Sequence, residues 1–118
     1  MTDYFDLTQS LNEALSKAYD ELDEAETWGT EAAQMRSGYK AALATKILEL
    51  RAKGTVPATL IQKVAEGSEN VRTMGMEMEI AEVRYKASLE AIQLRKREAD
   101  IIREQINREG YIPRRENL

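Results

Sequence analysis

The densest group of potentially reactive side chains is acidic: Asp20, Glu21, Asp23, Glu24 and Glu26. Carboxylates grouped this way can gather a hard divalent cation. On a helix, however, these five spread over most of the circumference, and no matching set recurs later in the chain. A solvated acidic face is the plainer account. The sequence has no histidine and no cysteine. The usual proton shuttle, thiolate nucleophile and soft metal ligands are therefore missing. Met74-Gly75-Met76 lies inside a periodic helical stretch and has no Gly-Lys-Ser/Thr continuation, so it is not a phosphate loop. Nothing implies a cofactor or a metal, and the chain reads as non-catalytic.

Binding chemistry has more to work with. Residues 1–35 hold nine acids and one base, a net of −8. Residues 36–63 hold six bases and one acid, a net of +5. The bases are Arg36, Lys40, Lys46, Arg51, Lys53 and Lys63. An overall charge of −4 argues against duplex DNA as a partner, because that affinity comes mainly from neutralising phosphates. Single-stranded nucleic acid stays open through the basic segment, although Tyr39 is the only aromatic within it and falls on a helix seam. Asp20, Asp23 and Glu24 form a candidate acidic face for a protein partner that otherwise holds nucleic acid. The uneven charge also suggests that acidic and basic segments meet, in an antiparallel pairing of chains or on a partner.

A fragment resembling a helix-turn-helix runs from Leu48-Glu49-Leu50-Arg51-Ala52-Lys53-Gly54 into Leu60-Ile61-Gln62-Lys63-Val64-Ala65. The chain then enters a long helix opening Ser68-Glu69-Asn70, neither basic nor short enough to read a groove. A corner covering the end of a hairpin explains the same residues.

The elements that position these groups are long helices. Ser68 to Glu109 contains no proline, and Val71, Met74, Met78, Ala81, Tyr85, Ile92, Ala99, Ile102 and Ile106 follow a three-four rhythm. Ser88 and Arg95 fill the two gaps in that seam. A second series, Met76, Ile80, Val83, Ala87, Leu94 and Ile101, lies roughly opposite. A helix apolar on two sides calls for cover on both. One cover is the rest of this chain; the second series is the expected interface with another copy or another protein. Met74, Met76 and Met78 face both sides, where a flexible thioether can fill a core or adapt to a partner.

The first long helix is predicted over 7–53, with Asp6 as its cap and Leu11, Leu15, Ala18, Leu22 and Ala25 on its seam. A kink or break is expected at Thr27-Trp28-Gly29-Thr30, since glycine weakens a helix interior by about 1 kcal/mol relative to alanine. Trp28 either plugs that break or anchors an interface. The rhythm resumes at Ala32, Met35, Tyr39, Leu43, Ile47 and Leu50 and ends at Lys53-Gly54. A short corner helix is expected over 57–66 with Pro57 in its first turn, then the second long helix over 68–109, then a tail over 111–118. Ser68 should cap the second helix and Gly110 should close it. At 1.5 Å per residue each long helix would span roughly 60–70 Å. The fold class is all-α: one domain, an antiparallel coiled-coil-like hairpin of two long helices joined by a helical corner, packing as an oligomeric bundle.

Tyr39-Lys40-x-Ala42-Leu43-Ala44, Ile47-Leu48-x-Leu50-Arg51-Ala52-x-Gly54 and Ile80-Ala81-Glu82-x-x-Tyr85-x-Ala87 resemble small helical proteins encoded by phages and prophages of Gram-positive bacteria. The resemblance covers residues 36–108. It implies a setting, the infected bacterial cytoplasm, among genes for DNA replication and recombination or for countering host defence. It transfers no functional residue. Met1 to Asp6 carries two acids and no base, against a secretory signal, and no stretch approaches the length of an apolar membrane span.

Overall fold

The computed structural model describes residues 3–110, and the tail expected over 111–118 lies outside the described residues. The described residues form three helices: α1 (Tyr4–Lys53), α2 (Ile61–Glu66) and α3 (Glu69–Arg108). The fold is an all-α hairpin, with no strand among the described residues. Its contacts divide into two compact units. A terminal unit combines Met1–Ala25 with Ala87–Leu118, and a corner unit is formed by Glu26–Lys86.

α1 begins earlier than its sequence suggests. The Asp3 carboxylate accepts a hydrogen bond from the Asp6 amide at 2.8 Å, so Asp3 is the cap and Asp6 lies inside the first turn. No break follows: α1 is continuous through Thr27-Trp28-Gly29-Thr30. Its buried and half-buried side recurs at Leu7, Leu11, Ala14, Ala18, Glu21, Ala25, Trp28, Ala32, Met35 and Tyr39, an uninterrupted three-four rhythm. Glu21 and Trp28 hold seam positions, whereas Leu22, placed on the seam by its chemistry, is 52% exposed.

Gly29 serves close packing instead of ending a helix. A methyl group there would stand 3.0 Å from Cε1 of Tyr85. The arrangement is reciprocated, since a methyl group at Gly75 would stand 3.1 Å from Cε2 of Tyr39. Each helix thus receives the other's tyrosine ring on a glycine. Because 29 meets 85 while 39 meets 75, the two helices run antiparallel in this unit.

α1 ends at Gly54, whose φ of +66° is the left-handed conformation favoured by glycine, with its amide bonded to Leu50 O at 3.2 Å. The corner helix is shorter than its sequence suggests. Pro57 opens a turn closed by Leu60 N donating to Pro57 O at 2.9 Å, and α2 starts only at Ile61. Ile61 and Ala65 of α2 pack with Leu50, backed by Leu43, Ile47 and Val56. This small core closes the end of the corner unit. Ser68 precedes α3, and its hydroxyl donates back to Ala65 O at 2.7 Å. Gly110, at φ +73°, closes α3.

Candidate functional site

α3 has two sides with opposite fates. Val71, Ala81, Ser88, Ile92, Ala99 and Ile106 are buried, and Met74, Met78, Tyr85, Arg95 and Ile102 are half-buried. Met76, Ile80, Val83, Ala87, Leu94 and Ile101 are all exposed. Val83 and Leu94 expose 66% and 62% of their surface, and Ile80 exposes 50%. Large apolar side chains at this exposure, repeated at helical spacing, mark a contact surface more often than scattered exposure does.

In the corner unit, Met76, Glu79, Ile80, Val83 and Arg84 line a shallow apolar groove of about 380 Å³. The Arg84 guanidinium lies 4.6 Å from the centroid of the Trp28 ring, a cation–π distance. Trp28 is therefore half-buried in an unbroken helix and shielded by Arg84. It plugs no gap.

The basic residues do not form one free patch. Arg36 donates through Nε to Glu82 Oε1 at 3.1 Å and through Nη2 to the same oxygen. Lys46 pairs with Glu49 at 3.5 Å. Lys40, Arg51, Lys53 and Lys63 are exposed. An open groove of about 720 Å³ beside the corner takes Lys46 from this group, but Glu49 and Glu69 line it as well, so its electrostatics are mixed. Asp20, Asp23 and Glu24 are all exposed. Among the described residues, no group of three or more acids is placed to hold a metal ion.

One residue from each charged segment of α1, Glu21 and Arg36, is paired with a residue of α3. In the acidic segment, Glu21 Oε1 accepts from Arg95 Nε at 3.2 Å, and Arg95 Nη1 also donates to Glu98 at 3.0 Å. Hydrogen bonds first to Glu98 and then to Glu21 raise the guanidinium pKa above its ordinary value, so Arg95 stays charged at any working pH. Glu21 Oε2 is buried with no hydrogen-bond partner. Sequence pattern alone flags Arg95 as a gap in the seam but misses Glu21 as its counterpart. The signal that could have found it is the seven-residue spacing from Ala14 through Glu21 to Trp28.

No helix among the described residues is long and apolar enough to cross a membrane. Compared with known proteins, the chain matches no family model, no curated protein and no solved structure.

Proposed function

We propose that this chain is a non-catalytic interaction protein of the phage type, acting in phage DNA metabolism by offering helical surfaces to other proteins and to copies of itself. The observation that carries it is the uncovered side of α3. A helix that has buried one apolar side still exposes Met76, Ile80, Val83, Leu94 and Ile101. That surface is costly in water and gains free energy when covered, at about 25 cal/mol per Å². The phage setting rests on the residues of 36–108 that resemble such proteins.

The test is affinity capture from infected bacterial cells with the intact chain and with Ile80→Glu/Val83→Glu. Both positions are exposed, so circular dichroism should be unchanged. The double variant should lose the captured protein; capture at the level of the intact chain would reject the proposal. A second reading makes the chain an inhibitor of a bacterial defence nuclease, with the exposed Asp20, Asp23 and Glu24 mimicking nucleic acid. Neutralising all three should abolish inhibition in a nuclease assay. The engaged carboxylate partners of Arg36 and Lys46 weigh against single-strand binding, which a gel-shift assay at physiological salt would check.

A further inference from the structure

We infer that the terminal unit's stretch of α3 pairs with a second copy of itself, antiparallel, about a two-fold axis passing beside Leu94. This deepens the proposal above and rests on its treatment of the exposed side of α3. Ala87, Leu94 and Ile101 are exposed at seven-residue spacing, two helical turns apart, and form one line along α3. Leu94 is the midpoint. The residue one step before it on the line is small and the residue one step after it is large. Turning a second copy end over end about Leu94 sets Leu94 on Leu94 and each Ile101 against the other copy's Ala87. Large against small fills both outer layers equally.

The charges beside the line follow the same symmetry. Glu90 and Arg97 are exposed and lie on the same flank, four residues before Leu94 and three after it. In height they stand about 6 Å and about 4.5 Å from Leu94, on opposite sides. An antiparallel two-fold brings equal flanks together, so Glu90 of each copy meets Arg97 of the other with about 1.5 Å of offset, well within side-chain reach. Neither residue forms an ion pair with another described residue. Their neighbours Arg95 and Glu98, by contrast, are engaged with each other. Charges flanking an apolar helical seam set the orientation of pairing. A parallel pairing would set alanine on alanine and isoleucine on isoleucine. It would also keep Glu90 and Arg97 apart by about 10 Å of rise.

The absence of native cysteine makes the test direct. Single-cysteine variants Leu94→Cys, Ala87→Cys and Ile101→Cys are oxidised in purified full-length protein. Leu94→Cys should cross-link to itself. Ala87→Cys and Ile101→Cys should each stay uncross-linked alone and should link to each other when mixed. In sedimentation, the unmodified chain should be dimeric at tens of micromolar. Glu90→Arg and Arg97→Glu should each weaken self-association about tenfold, as two like-charge contacts replace two attractive ones, and an equimolar mixture of the two should restore it. A monomer at tens of micromolar, self-linking of Ala87→Cys, or a dimer in which no pair links would each overturn the inference. These measurements use the purified chain alone, whereas partner capture through Ile80 and Val83 is measured in infected cells. Either can fail while the other stands.

Discussion

In the corner unit a tyrosine ring rests on a glycine twice, once from each helix. In the terminal unit Leu7, Ile92 and Ile106 share the seam with alanines at 14, 25 and 99, and Glu21 and Arg95 cross it. The first arrangement fixes register by shape, because a ring fits only where a side chain is missing. The second fixes it by charge, and a half-exposed ion pair contributes little net stability because desolvation offsets most of the attraction. The corner unit also has the Leu50, Ile61 and Ala65 core at its closed end. One pair of continuous helices is thus registered by shape and a closed end in one unit and by a charged pair in the other, and local stability should be higher in the first.

The strongest way to break this contrast is at the closed end. Ile61→Ala removes most of a buried side chain from the corner core and should cost about 2–4 kcal/mol in chemical denaturation. Hydrogen exchange should speed up across Glu26–Lys86 first. Overpacking comes next. Gly29→Val drives a branched side chain into the Tyr85 ring and should cost about 1–3 kcal/mol, with part of the loss recovered in Gly29→Val/Tyr85→Ala. Gly29→Ala is the sharper variant, because the helix propensity gained, about 1 kcal/mol, opposes a contact that the ring must yield to accept. A melting temperature well above that of the unmodified chain would show that the ring yields easily and that shape does not fix register here.

In the terminal unit the expected effects are smaller and partly of opposite sign. Replacing both seam charges, Glu21→Leu/Arg95→Leu, should raise the melting temperature, since it removes a carboxylate oxygen buried without a partner. The exchanged pair, Glu21→Arg/Arg95→Glu, should stay near the original value. A marked fall in the double leucine variant would mean that the ion pair stabilises this unit more than its geometry implies. Least of all, Asp3→Ala removes the cap of α1 and should cost about 0.5–1 kcal/mol, visible as faster amide exchange in the first turns after Tyr4 and nowhere else.

The fold is legible in the sequence wherever side-chain chemistry and position agree. On α3 they agree. Val71, Ala81, Ile92, Ala99 and Ile106 are apolar and buried, while Ile80, Val83 and Leu94 are apolar but off the seam and exposed. Periodicity alone separates the two sets. On α1 they conflict at two places. Glu21 sits on the seam because Arg95 answers its charge from the facing helix, a fact no local pattern contains, so chemistry alone favours the neighbouring Leu22. Gly29 resembles a break when helix propensity is weighed without the Tyr85 ring that requires a bare backbone there. At the corner, Pro57 favours a helix start in principle, but the turn to Leu60 comes first and α2 begins with the buried Ile61. Among the candidate site residues, exposure of the Met76–Ile101 series is legible. The engagement of Arg36 by Glu82 is not, because it joins residues 46 positions apart.

The reciprocal seating of Tyr39 on Gly75 and Tyr85 on Gly29 works like a key cut on both edges. A slip of one heptad would bring Ser68 or Glu82 to the place where Gly75 admits the Tyr39 ring, and neither leaves room for it. Signalling coiled coils that carry messages lengthwise do so by sliding or rotating one strand past the other. Such a stroke within the corner unit would have to unseat both rings. The register of the two helices in the corner unit is thereby written into two glycines and two rings, far apart in the sequence and paired across the hairpin.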